Sequence, residues 1–232
     1  MASSTVSLRV LFAVAVMITT GGCAADTSQQ TDSDINASAD ELFLASKTVW
    51  AKKTLSVCWV NASAADAKAQ AWTRDSIIKT WQTVSQVSFE GWAACTAKGA
   101  DIQIKISDEN PFSYIGTGSL WASKQYGSSM TLNHTFAKWS TACKSQVERC
   151  VRTIAVHEFG HALGFDHEQN RADRPESLKG CAADGKQVSG DKPLGVWDLS
   201  SVMNYCNPTW ANGGKLSPGD IAGVQQVYGA RN

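Results

Sequence analysis

Three of the four histidines of this 232-residue chain fall in HEFGHALGFDHEQNR, residues 157–171. His157 and His161 stand four apart, so on a helix they project from one face, a turn apart. Two neutral imidazoles so placed hold two corners of a tetrahedral Zn²⁺ site. Glu158 points about a quarter turn away, where it can reach a water at the metal and act as a general base. Gly164 can take the left-handed conformation that ends a helix, and the bend lets His167 return as a third ligand. Three protein ligands leave the fourth position open, the mark of a catalytic rather than a structural zinc. The implied chemistry is hydrolysis by metal-activated water at one catalytic Zn²⁺. The competing readings are two surface histidines on an amphipathic helix, or a surface-tethered peptide-binding module with a non-catalytic zinc.

HEFGHALGFDH resembles the metzincin metallopeptidase signature HExxHxxGxxH. Its continuation HEQNRADR, with Glu168 after the third histidine and Arg171 and Asp173 beyond, is similar to the astacin family. SVMNY, Ser201 to Tyr205, resembles that family's Met-turn. The resemblance implies a zinc endopeptidase of the α+β class. A twisted, mostly parallel sheet and two helices would form an upper lobe. A small irregular lower lobe would carry the Met-turn and a C-terminal helix. Met203 would floor the metal histidines. Tyr205 would ligate zinc at rest and swing to hydrogen-bond the transition-state oxyanion. Substrate would pair antiparallel with an edge strand in Ser113 to Trp121. Asn204 departs from the family, which often has histidine there. In animal astacins the residue matching Glu168 contacts the buried N-terminus of the activated enzyme. Here either a second cleavage occurs near the domain start, or Glu168 pairs elsewhere, with Arg171. A neighbouring metzincin family is the nearest rival, and Glu168 with RADR argues against it.

The elements around this motif follow from pattern. A catalytic domain is read over residues 47–232. TLSVCWV reads as a strand, and a helix is expected from Ala64 to Gln86 with Ile77, Ile78, Trp81 and Val84 on one stripe. VSFEGW and SMTLN read as short strands, and DIQIKI alternates as a half-buried one. PFSYIGTGSLWASKQYG is Gly-rich and irregular, with room for an edge strand at Ser113 to Gly116. The metal helix should run from Gln146 to Leu163. In SPGDIAGVQQVYG, Ser217 caps a last helix, Pro218 opens it and Gly229 stops it. His134 is read as a surface histidine. Tyr114 and Trp121 either line substrate pockets or pack.

Arg9 and the apolar run Val10 to Ile18 read as an export signal over residues 1–22, too short to span a bilayer. TTGGC resembles a bacterial lipobox that would lipidate Cys23 and tether the protein to a membrane, although Thr20 stands where leucine is usual. Plain secretion after cleavage near Ala25, or an uncleaved anchor, stays open. Residues 23–46 read as a flexible acidic tether or short pro-segment. Without Cys23, six cysteines remain, an even set that suits disulfides in an exported chain. Fifteen pairings are open; the favoured one joins Cys58 to Cys95, Cys143 to Cys150 and Cys181 to Cys206. With zero formal net charge and no run of like charges, nothing points to nucleic acid. Protein or peptide substrates and a monomer are expected.

Overall fold

The computed structural model describes residues 40–178, 181 and 189–231. The leader, Cys23 and the rest of the acidic stretch to residue 39 lie outside the described residues, as do residues 182–188. The elements in chain order are β1 (Asp40–Leu44), β2 (Thr54–Trp59), α1 (Ala67–Lys79), α2 (Trp81–Val84), β3 (Ser88–Ala94), β4 (Ile102–Ile106), β5 (Phe112–Ser113), α3 (Gly118–Tyr126), β6 (Met130–Leu132), α4 (Thr141–Lys144), α5 (Val147–Ala162), β7 (Phe165–Asp166), β8 (Lys192–Gly195) and α6 (Pro218–Tyr228).

A five-stranded sheet runs in the order β3-β2-β4-β6-β5. Its first four strands are parallel and β5 closes one edge antiparallel. Parallel neighbours need crossovers, and α1–α2 and α3 supply them. Leu55, Val57, Trp59, Ile102 and Ile104 join Trp81, Ile154 and Phe159 in one buried core. This is the mixed α and β architecture expected, with a mostly parallel sheet.

Three aromatic donors hold α5 in place. Trp81 donates its indole N–H to the Val156 carbonyl at 2.8 Å. Trp50 donates to Ala162 O at 2.7 Å and the Tyr228 hydroxyl to Leu163 O at 2.6 Å. The last carbonyls of a helix have no partner within it, so Trp50 and Tyr228 satisfy the end of α5, while Trp81 anchors it further back.

The structure differs from the sequence reading in four places. The fold begins before Lys47: Leu42, Phe43 and Leu44, inside the stretch read as a tether, are buried, and β1 pairs antiparallel with β7 and β8 in a second, three-stranded sheet. The acidic flank masks that short apolar run. The helix expected through Gln86 ends at Lys79, with a break at Thr80. There Ser76 donates to Trp72 O and Thr80 to Ser76 O, hydroxyl bonds back onto the preceding turn that compete with helix propagation. The Gly-rich stretch read as irregular contains α3, which Gly127 closes at a φ of 76°. His134 is buried rather than on the surface, with its ring edge-on to Trp59. The disulfides join Cys58 to Cys95, Cys143 to Cys150 and Cys181 to Cys206, the pairs the sequence favours.

Candidate metal centre

His157 and His161 occupy the last two turns of α5, and both are buried. Two residues past the helix end Gly164 takes a φ of 104°, open to glycine and strained for any other residue. The chain turns there through β7 and delivers His167 to the same point. His167 Nε2 lies 3.2 Å from His157 Nε2 and 3.0 Å from His161 Nε2. A zinc ion with Zn–N bonds of about 2.0–2.1 Å would set its nitrogens about 3.4 Å apart in a tetrahedron, so the three rings fit that ion closely.

The far side of two rings fixes the tautomer. His157 Nδ1 lies 2.8 Å from the Val202 carbonyl and His161 Nδ1 2.7 Å from the Phe165 carbonyl. A carbonyl only accepts, so each Nδ1 carries the proton and each Nε2 keeps its lone pair for a metal. Burial, helped by neighbouring His161, pushes His157 down to about 3. It is therefore neutral at pH 7, as a ligand must be.

The Met-turn lies beneath the histidines. Met203 is fully buried, and a side chain at Gly160, between the two helical histidines, would run into its Sδ. Glu168 N donates to Met203 O at 3.0 Å, pinning the segment after His167 to the turn. The Tyr205 ring packs 5.1 Å from His157 and 4.4 Å from His167. Buried Asn204 donates to Asp198 O at 2.6 Å, shaping the turn itself.

Glu168 meets Arg171 rather than solvent: Oε1 is 3.1 Å from Nη1 and both side chains are fully buried. Asp173 grips the guanidinium with both oxygens, at 2.9 and 2.7 Å. Burial pushes Glu168 up to about 9 against the pull of Arg171, and the carboxyls of Asp220 and Asp198 add to the rise.

Two supports escaped the sequence reading. Asp166 accepts from His167 N at 2.6 Å and from Ser189 N and Gly190 N, tying the third histidine to the loop before β8. Asp220 accepts from Ser201 Oγ at 2.6 Å, Val202 N at 2.8 Å and Ser217 N at 2.9 Å. It thereby ties the Met-turn to the first turn of α6. Its signal was present, since SPGD is a capping box with the acid at the third helical position.

Glu158 is buried but lines a cleft of about 150 Å³ with His161, His167, Tyr205, Phe112 and Ser113. The opposite wall is β5. Tyr114 N donates to Ser129 O, which makes 114:129 and 112:131 the hydrogen-bonded pairs of this ladder. The peptide groups of Ser113 therefore face away from β6, toward the open edge.

Two family models divide this architecture between them. Matrixin matches residues 49–174, more than half of the chain, and Astacin matches residues 140–232, which take in the metal motif, the Met-turn and α6. The chain is an astacin-like metzincin. Zinc metalloproteinase nas-2 of Caenorhabditis elegans is 29% identical over 163 residues, covering 68% of this chain and 54% of nas-2. The chain thus spans about half the length of that relative. Astacin-like metalloprotease toxin 1 of Loxosceles intermedia is 40% identical over 60 residues, 22% of this chain and 23% of the toxin. The solved structure of myroilysin superposes with a TM-score of 0.55 at 18% identity, covering 82% of this chain and 98% of that one, a likeness of fold. This astacin-like metzincin therefore belongs to a group whose members hold zinc, and its three-histidine cluster fits a catalytic zinc site.

Proposed function

We propose that this astacin-like metzincin is a zinc-dependent endopeptidase acting on proteins outside the cytoplasm. The observation that carries the reading is the convergence of three histidine Nε2 atoms beside a cleft that His161, His167 and Glu158 line. His157, His161 and His167 would hold the ion. Zinc, when bound, supplies a Lewis acid that polarises the scissile carbonyl and acidifies water. Glu158 takes the proton of the attacking water and passes it to the leaving amine. Tyr205 donates its hydroxyl hydrogen to the oxyanion. The outward peptide groups of Ser113 hold the substrate as an added strand. Met203 and Gly164 are positioning residues, the first as floor and the second as the bend.

The test is digestion of casein or gelatin by the purified protein, with and without a zinc chelator, beside Glu158→Gln. Activity that is lost to the chelator, restored by zinc and abolished in a variant that still binds zinc supports the reading. A zinc-loaded variant with full activity removes Glu158 from its role. Zinc bound at one equivalent with no turnover by the unaltered protein favours a binding module.

Export is part of the same proposal, resting on the apolar leader and on three disulfides, which persist in oxidising compartments. Tethering through Cys23 predicts palmitate labelling that Cys23→Ala abolishes. Equal labelling of both proteins rejects the tether.

A further inference from the structure

The cleft does not end at β5. Phe112, on its wall, meets Tyr114 at 5.0 Å between ring centroids. Tyr114 in turn meets Trp121 and Tyr126 of α3, each at 6.1 Å, and those two meet each other edge-on at 5.5 Å. Four rings thus form one surface that starts in the cleft and runs outward. It is unusually open to water: Phe112 is 43% exposed, Trp121 53% and Tyr126 64%. Large apolar rings in contact with one another and left in water mark an interaction surface more often than a packing accident. Lys124 is the single charged residue of α3, so neither a polyanion nor an acidic membrane surface suits this face.

Strand geometry says what lies over it. Phe112 and Tyr114 are two apart, so they share one face of the edge strand while Ser113 turns inward. A peptide added to the open edge of β5 would place every second side chain over that same face. We propose that Phe112, Tyr114, Trp121 and Tyr126 form a selecting extension of the substrate cleft, which takes aromatic or large apolar side chains at alternate positions of an extended substrate segment. The inference rests on the endopeptidase reading for its substrate and on the ring cluster for its specificity.

The test separates the two. A fluorescent ten-residue peptide with phenylalanine at alternate positions, and its serine counterpart, are titrated against zinc-loaded Glu158→Gln, so binding is read without turnover. The phenylalanine peptide is expected to bind about tenfold tighter than the serine peptide. Adding Trp121→Ser and Tyr126→Ser should erase that preference. Leu120→Ser, an exposed apolar residue of the same helix beside Lys98 and Gly99, should keep it. In the active protein the same pair should shift KM far more than kcat, because ground-state and transition-state contacts to a remote side chain are alike. Equal affinity for both peptides, or a preference that survives the double substitution, overturns the inference while leaving the endopeptidase reading intact. A preference seen in binding with no hydrolysis by the unaltered protein keeps the surface and rejects the enzyme. Binding of the double variant to neither peptide calls for circular dichroism; a native spectrum then assigns these rings to peptide capture as such and overturns the side-chain preference.

Discussion

Replacing Gly160 with alanine should distort the metal floor, and the structure sets the size of the effect. The added methyl would run into Met203 Sδ and lie 3.2 Å from both Met203 Cε and Trp81 Cζ2. Neither neighbour has room to retreat: both are fully buried, and Trp81 is tied to Val156 O. Overpacking of this kind costs about 1–3 kcal/mol, and an overlap with sulfur inside a closed core belongs at the upper end. Alanine returns about 1 kcal/mol of helix propensity. The net expectation is a loss of about 2 kcal/mol. Met203→Ala alone should cost about 2–5 kcal/mol through the cavity it leaves. In that background the new methyl enters the hole, so Gly160→Ala should become neutral or stabilise by up to about 1 kcal/mol. Urea midpoints of the four proteins of this cycle, zinc-stripped with disulfides intact, give the coupling directly. Equal effects of Gly160→Ala in both backgrounds, within about 0.5 kcal/mol, would refute the contact between Met203 and the zinc helix.

Asp220→Ala should weaken zinc binding about 10–100-fold, read by competition with a chromogenic chelator, because it frees the Val202 segment whose carbonyl orients His157. Asp220→Asn should bind nearly as well, since an amide oxygen can still accept from Val202 N and Ser217 N; equal zinc affinity in all three proteins removes Asp220 from the site. Buried His134 has no hydrogen bond to either ring nitrogen among the described residues, and its desolvation holds its pKa below the usual value despite Asp66 at 3.7 Å. The unfolded chain then binds the proton more readily, so stability contributed at neutral pH is lost as pH falls from about 6.5. His134→Phe should therefore lose less stability than the unaltered protein between pH 7 and pH 5, and identical urea-midpoint profiles would sink the argument.

The metal cluster was legible because its geometry is local. Offsets of four and ten residues, with a glycine between, need only helix periodicity and one left-handed bend. The parallel strands were legible too, since Ile102 and Ile104 alternate and are fully buried. What pattern could not supply was contact at a distance. β1 is a short apolar run that becomes a strand because β7 and β8 flank it. His134 looks like any polar residue after a strand until the fold buries it against the ring of Trp59. The break at Thr80 comes from hydroxyls that hydrophobic periodicity ignores. The astacin-like resemblance named the Met-turn, but only the fold revealed Asp166 and Asp220 as the groups that hold its surroundings still.

The wiring of His157 also has a consequence in time. The three histidines leave the ribosome almost together, yet the carbonyl that sets the tautomer of His157 comes 45 residues later and the carboxylate that steadies that carbonyl's segment later still. A nascent chain can own all three histidines, with His161 already beside its Phe165 carbonyl, while His157 still lacks the group that orients it. The orientation of His157 is thus deferred until the Met-turn and α6 have joined the far end of the domain.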